Sequence, residues 1–296
     1  MKVEDVIIIG AGPAGLAAAI QLKRFGMQAL IFERAEAGGL LHNANLVENY
    51  PGFPGGIRGP ALVKLFVQQA RQLNIEITYD EVIELSYEQG FFRAMTKGKS
   101  YTAKLAVIAT GTKPLHFIDL SIPDDLASRV FYEVVGLLPV KNKHIVIVGS
   151  GDAAFDYALN LSRKNQVTIL NRGEQSKCLP LLWERSQKIS GITYRNNTEV
   201  YHLTKGGVDG MLLDCRTPAG ELQYNANYLV GAIGREACLD CLPQIFVQQT
   251  QALEEQGVMY RIGDVKNGIY RQTSIAVGDG ILAAMKICRQ LKETMR

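Results

Sequence analysis

Val6-Ile7-Ile8-Ile9-Gly10-Ala11-Gly12-Pro13-Ala14-Gly15 decides the fold of this chain. Its four leading apolar residues read as a strand buried on both faces, because such a strand shows an unbroken apolar run rather than alternation. A glycine-rich turn follows and opens an alanine-rich stretch that reads as a helix. Strand, glycine turn and helix together form the context a dinucleotide fingerprint requires. The pattern recurs once. Ile145-Val146-Ile147-Val148 leads into Gly149-Ser150-Gly151-Asp152-Ala153-Ala154, again with a helical stretch behind it. One such loop is a weak signal. Two in context imply two cofactors, or one cofactor and one nucleotide substrate.

The remaining chain fits two α/β units, the second inserted into the first. Ala103 to Gly111 reads as a strand ending in a tight turn, and Tyr228 to Gly234 reads the same way. The tail from Tyr260 reads as a short strand, a loop and a last helix. These signals place one domain at 1–114 plus 232–296 and a second at 115–231. With 296 residues and 47% hydrophobic content, the chain can bury two ordinary cores. A formal net charge of +3 is too small to argue for nucleic acid. No apolar run reaches the roughly 18–20 residues a membrane span needs. The N-terminal apolar run is broken by the Gly-Pro turn and reads as a core strand, not a signal peptide. The expected location is cytosolic, with peripheral membrane association left open. In that compartment cysteines stay reduced unless they have redox work.

In the first loop the glycines have separate tasks. Gly10 makes the tight turn, Gly12 lets the backbone approach a pyrophosphate, and Gly15 lets helix and strand pack closely. Pro13, Ala14 and Gly15 start the helix, whose free N–H groups and positive dipole end face the phosphates. Glu33 follows 23 residues after Gly10, at the end of the next strand. A carboxylate there accepts hydrogen bonds from ribose hydroxyls and repels a 2′-phosphate.

Gly38-Gly39-Leu40-Leu41, the run Glu48-Asn49-Tyr50-Pro51-Gly52-Phe53-Pro54-Gly55-Gly56-Ile57-Arg58-Gly59-Pro60, and the tail segments Gly263-Asp264-Val265, Tyr270-Arg271-Gln272 and Ala276-Val277-Gly278-Asp279-Gly280 resemble the low-molecular-weight thioredoxin reductase family closely. The resemblance spans nearly the whole chain. It implies an α/β fold of two doubly wound nucleotide-binding domains, a homodimer, and FAD in the first domain. It further implies Gly39, Thr110-Gly111 and Gly263 at the cofactor, Asp264 at the ribityl hydroxyls, Asn49 near the flavin ring, and Arg271 and Gln272 along its edge. Where the family reads Gly-Gly-Gln-Leu, this chain has Leu40 in place of the polar residue.

The chain departs from that family twice. The family carries a Cys-Ala-Thr-Cys pair just before its second glycine loop. Here that stretch is Val130-Phe131-Tyr132-Glu133-Val134-Val135-Gly136, without cysteine, and none of these side chains performs disulfide exchange. The family also follows its second loop with a His-Arg-Arg-x-x-x-Arg cluster for a 2′-phosphate. This chain reads Asn171-Arg172-Gly173-Glu174-Gln175-Ser176-Lys177. Gly173 removes one arginine and Glu174 adds a negative charge, which weakens phosphate recognition. Gly149, Gly151, Asp152 and Ala153 remain for a pyrophosphate. Arg172, 23 residues past Gly149, matches Glu33 by count.

Five cysteines are present, and Cys238-Leu239-Asp240-Cys241 is the closely spaced pair. Such a pair closes a redox-active disulfide when a helix start lowers the thiol pKa. Its position after Gly234-Arg235-Glu236, at the return crossing between domains, points to the cleft where two nucleotides meet, with Cys238 nearer the helix start. The competing reading is two buried apolar thiols flanking a turn. Zinc would need two more ligands, and none shows matching spacing; no metal is expected. Trp183 reads as a packing residue, whereas Phe131 and Tyr132 leave ring stacking open.

These departures together resemble the diflavin-linked disulfide oxidoreductases of oxygenic photosynthetic bacteria. That resemblance implies a second FAD in the pyridine-nucleotide site and a disulfide communicating with both flavins. The ferredoxin–NADP reductases of thioredoxin-reductase type are also similar, through Phe131-Tyr132-x-Val134 and Gly151-Asp152-x-Ala154-x-Asp156-Tyr157-Ala158. The expected function is electron exchange between FAD and Cys238–Cys241, with a small dithiol or redox protein as partner. An NAD(P)H-dependent flavin reductase and a non-catalytic dinucleotide sensor are the alternatives.

Overall fold

In the computed structural model, which describes residues 2–207 and 209–294, the chain divides into two compact units. The first comprises the chain up to His42, Val47–Lys113 and the chain from Glu236 onward. The second comprises Asn43–Leu46 and Pro114–Arg235.

The first unit is built around strand β1, Val3–Ile9. Residues Val6 to Ile9 are no more than 5% exposed, as a central parallel strand covered on both faces requires. Helix α1, Pro13–Arg24, leads to β2, Ala29–Glu33, which lies parallel to β1 with Ile9 opposite Phe32. Strand β3, Ser100–Ile108, is parallel on the other side, with Ile108 opposite Ile9. Ile77–Tyr79 and Met259–Arg261 extend the parallel part, and Glu84–Glu88 and Phe91–Met95 add an antiparallel hairpin. The last helix, Thr273–Thr294, packs on α1. A side chain at Gly280 would strike the Ala14 carbonyl of α1, so the two helices approach as closely as they do only because that position is glycine.

The second unit repeats the plan. Strand β4, His144–Val148, helix α2, Asp152–Leu161, and strand β5, Gln166–Leu170, follow the second glycine turn. Ile192–Arg195, β5, β4, Tyr228–Gly231 and Val130–Phe131 form a parallel five-stranded sheet in that order. A three-stranded antiparallel sheet of Glu199–Lys205, Met211–Thr217 and Gly220–Ala226 stands beside it. Trp183 packs in this unit's core, its ring centroid 4.9 Å from Tyr194.

The short stretch Asn43–Leu46 belongs to the second unit, whereas the sequence reading placed it in the first. Hydrogen bonds are the reason. The Asn43 carboxamide oxygen accepts the Val134 and Val135 N–H groups at 2.8 and 3.0 Å. The Asn45 N–H donates to Asp156 at 2.8 Å. Among the described residues no helix is long and apolar enough to cross a membrane.

Candidate functional site

The first cradle grows from the turn after β1. Gly10 has φ of +104°, its N–H donates to the Phe32 carbonyl at 2.8 Å, and a side chain there would strike the Ala109 carbonyl. A side chain at Gly15 would strike the Gly10 carbonyl, so helix and turn close on each other. Gly12 is different: a Cβ there would meet nothing within 4 Å. That open side is where a pyrophosphate can approach. Gly12 caps α1 without a side-chain hydrogen bond, and Pro13 takes the first turn, leaving the next N–H groups for an anion. Gly39, at φ +56°, stands against the loop, its Cβ position 3.5 Å from the Gly12 Cα.

Glu33 ends β2 beside this turn. Its carboxylate accepts the Ala11 N–H at 2.9 Å and the Ala35 N–H at 3.1 Å. Those bonds fix both oxygens, each with acceptor capacity left for a hydroxyl. Glu33 lines a pocket with Gly10, Thr110, Cys238 and Cys241.

The tail closes the same unit. Gly263, at φ +71°, turns the chain beside Ala14 and donates its N–H to Asp279 at 3.0 Å; Asn267 donates to the same carboxylate oxygen at 2.6 Å. Asp279 thereby holds the turn that carries half-buried Asp264. Asn49 donates to Gln272 at 2.7 Å, and Ser274 donates to the Asn49 carbonyl at 3.2 Å. Two expected flavin contacts, 223 residues apart, are thus joined, with Arg271 adjacent. This donor and acceptor set fits a dinucleotide with a polar ring system, FAD.

The cysteine pair differs from its sequence expectation. Cys238 follows the strand Arg235–Ala237, and the next helix, Gln244–Val247, starts beyond Cys241. Cys241, not Cys238, is nearer a helix start, and that helix is four residues long. Both thiols are free and buried, at 5% and 6% exposure. Burial pushes the Cys241 thiol up to about 12. Burial also raises Cys238, against a smaller lowering by Arg34. The expected helix-start lowering is absent because desolvation dominates. The pair stands on the wall of the first unit's own pocket, beside Glu33, Arg34, Glu81 and Val82. Asp264, Asn49 and Gln272 do not line it. Cys238 is tied to the turn after β3: Thr110 Oγ1 donates to its carbonyl at 2.5 Å, and its N–H donates to Gly111 at 3.0 Å. Between the cysteines, Asp240 pairs with Lys113 at 2.5 Å.

The second cradle reproduces the first. The Gly149 N–H donates to Leu170 at 3.0 Å, a side chain at Gly149 would strike the Ala232 carbonyl, and a Cβ at Gly151 would meet nothing within 4 Å. Asp152 accepts the Leu179 N–H at 2.7 Å, and Ala153 is exposed behind it. The residue in the place of Glu33 differs from the sequence expectation. Phe32 and Leu170 play the same part toward the first glycine, so the counterpart of Glu33 is Asn171, not Arg172. Asn171 is buried and donates to Gln175 and to the Tyr194 hydroxyl at 2.9 Å each, while accepting the Gly173 N–H. Arg172 and Lys177 are exposed on the loop, whose Lys177 N–H is bonded to Ser150 of the glycine turn. The cradle offers cationic groups and an uncharged amide where the first has a carboxylate.

Several polar residues in the second unit were not singled out from sequence as site residues. Glu133 accepts from Arg235 at 2.8 Å and from Asn43 at 3.3 Å. Burial pushes Asp156 up to about 6, opposed by the Asn45 N–H and Arg163. Tyr132 packs closely enough on Gly231 that a Cβ there would come within 2.7 Å of its ring. The stretch that lacks cysteines therefore carries an ion pair and a packed aromatic ring.

Residues 4–280 match the family model described as pyridine nucleotide-disulphide oxidoreductase. The thioredoxin reductase of Listeria monocytogenes is 30% identical over 311 residues, covering 99% of this chain and 97% of that protein. The thioredoxin reductase of Streptomyces clavuligerus is 31% identical over 310 residues, covering 98% and 94%. Among solved structures, the thioredoxin reductase of T. acidophilum superposes with a TM-score of 0.85 at 28% identity, covering 98% of this chain and 99% of that one. The chain belongs to the pyridine nucleotide-disulphide oxidoreductase family, among its thioredoxin-reductase-like members, and is a flavin-dependent oxidoreductase of the disulfide/dithiol class.

Proposed function

We propose that the chain exchanges electrons between FAD held in the first unit and the Cys238–Cys241 dithiol, with a second dinucleotide in the second cradle. The observation that carries this reading is the shared pocket: both cysteines line it with Gly10, Thr110 and Glu33. Bound FAD would supply a two-electron acceptor. The residues that would hold it are Gly12 and the N–H groups opening α1 for the pyrophosphate, Glu33 for the ribose, Asp264 for the ribityl chain, and Asn49, Arg271 and Gln272 for the ring edge. Oxidation of the dithiol to a disulfide releases two electrons and two protons, which matches reduction of one flavin. The thiolate is the reacting form, so burial makes this pair slow at neutral pH and faster as pH rises.

The second cradle is read as holding a second FAD, following the diflavin resemblance. The uncharged Asn171, in the place of Glu33, supports a site that differs from the first. Exposed Arg172 and Lys177 equally suit the phosphates of NADPH. A homodimer belongs to the same reading, supported by exposed Ile281, Leu282 and Met285 on the last helix.

One observation favours a second reading. Both thiols are buried and raised, on the ribose side of the pocket, and no cysteine lies within 130–136. That suits a cysteine-independent NAD(P)H-dependent flavin reductase. Anaerobic addition of a dithiol reductant separates the two. The dithiol reading expects wild-type flavin to bleach and Cys238→Ser or Cys241→Ser to lose that bleaching while retaining FAD. Bleaching of the double variant as fast as wild type overturns it. Rapid bleaching by NADPH at low concentration selects the reductase.

A further inference from the structure

The cysteine pair touches the cofactor pocket on the side of Glu33. Glu33, the acceptor for a ribose, lines the same wall, while Asp264, Asn49 and Gln272 lie outside the pocket's lining. The two cysteines are also anchored to different parts of that wall. Cys238 is bonded through its main chain to Thr110 and Gly111, which directly follow the Ala109 that confines Gly10. Cys241 accepts the Leu85 N–H at 2.8 Å, and Glu81 and Val82, just before it in sequence, line the pocket. A tight turn, closed by the Leu242 N–H on the Leu239 carbonyl at 2.8 Å, joins the two cysteines.

A bond between the two sulfurs therefore pulls on both segments together. Both sulfurs are free, and two unbonded sulfurs stay well beyond the disulfide bond length of about 2.05 Å. Closing the bond shortens that separation and draws Thr110–Gly111 and the Glu81–Leu85 segment with it. The ribose subsite is bounded by these segments and by Glu33, which is itself held by the glycine turn.

Resting on the reading that the first unit holds FAD, we propose that Cys238–Cys241 is a thiol–disulfide switch on the adenosine-ribose subsite. Closing the disulfide loosens FAD, and by the same coupling bound FAD shifts the pair's equilibrium toward the dithiol. The chemistry is exchange with an oxidised low-molecular-weight disulfide. The two protein thiols lose two protons and two electrons, the protein S–S bond forms, and the reagent's S–S bond breaks to give two small thiols. Coupling of this kind is reciprocal. If the disulfide form binds FAD tenfold more weakly, FAD raises the reduction potential of the pair by about 30 mV.

The test uses the full chain freed of FAD and prepared in two states, one treated with dithiothreitol and one with oxidised glutathione. The 238–241 disulfide is verified by peptide mass, and FAD is titrated by fluorescence. The expected result is at least tenfold weaker binding in the oxidised state, reversed by dithiothreitol. The Cys238→Ser/Cys241→Ser protein should bind FAD with one affinity under both treatments. In the reduced wild type, saturating FAD should slow alkylation of Cys238 and Cys241 by iodoacetamide. Equal affinity in both wild-type states overturns the switch, as does failure of the 238–241 disulfide to form. An effect that persists in the double variant also overturns it, since it then belongs to other thiols. Failure of FAD to bind in either state sinks the FAD reading itself, a result distinct from equal binding in both.

Discussion

Substituting alanine at Gly12 and at Gly15 should have opposite consequences, although the two glycines are three residues apart in one loop. At Gly12 a methyl group meets nothing within 4 Å, and its φ of −72° is ordinary for alanine. Loss of a glycine helix cap and the gain from a stiffer unfolded chain then nearly cancel, leaving stability within about 1 kcal/mol. The same methyl group stands where the pyrophosphate must lie, against the N–H groups opening α1. Losing one charge-assisted hydrogen bond costs about 1.5–3 kcal/mol, and each 1.4 kcal/mol is tenfold in affinity. Gly12→Ala should therefore keep the fold and weaken FAD binding by at least tenfold. At Gly15 the methyl group runs into the Gly10 carbonyl, which is main chain and cannot swing aside. Gly15→Ala should cost about 1–3 kcal/mol of stability through overpacking, before any ligand is considered. Urea unfolding of the FAD-free proteins and FAD titration of the folded ones measure the two effects separately. A Gly12→Ala protein that binds FAD like wild type, or a Gly15→Ala protein that unfolds at the wild-type urea midpoint, would contradict these expectations.

Glu33→Ala should lower FAD affinity by about 1.5–3 kcal/mol through lost ribose bonds to a charged acceptor, read as FAD content after gel filtration. At the second cradle, Gly151→Ala should leave the fold unchanged and reduce occupancy there, since that position is as open as Gly12; nucleotide extraction reads this out. Asp156 has a folded pKa near 6, above its ordinary 3.8, so the folded state holds this proton longer than the unfolded chain does. Its contribution to stability is therefore greatest at low pH and is lost as pH rises from the unfolded toward the folded value, by about 3 kcal/mol at most. Asp156→Asn, which keeps an acceptor for the Asn45 N–H, should accordingly stabilise the protein near neutral pH and flatten that slope, as urea midpoints across the range would show. Alkylation of Cys241 should accelerate with pH through the whole neutral range, because its thiol titrates near 12.

Much of the fold is legible because a parallel strand covered on both faces has a plain sequence signature. Val6–Ile9 and Ile145–Val148 are such strands, and the glycine turns behind them can only be what they are. Glu33 was readable for the same reason, as the polar end of the next strand. Counting failed at Arg172. Helix α2 has 10 residues where α1 has 12, and β5 carries one more residue before its end, so an identical spacing from the glycine lands one residue late. The buried amide Asn171 then holds the loop by bonds to Gln175 and Tyr194, partners that no local pattern announces. The cysteine pair was found by its spacing but its surroundings were not. A helix start beside Cys238 suggested a lowered pKa, and the return crossing suggested the cleft, whereas the main-chain bonds to Thr110 and Gly111 carry Cys238 back onto the first pocket's wall, where burial raises it. Asn43 and Asn45 escaped notice because their partners lie about a hundred residues away and no periodicity links them.

FAD in the cradle formed by Gly10, Gly12, Gly15 and Glu33 is the centre of the proposed chemistry. Acid extraction of the purified protein, with the released nucleotides identified by mass and counted per chain, tests that most directly. The expected result is at least one FAD per chain, reduced to less than half by Gly12→Ala. Protein that is colourless as purified and takes up no FAD on reconstitution would contradict it.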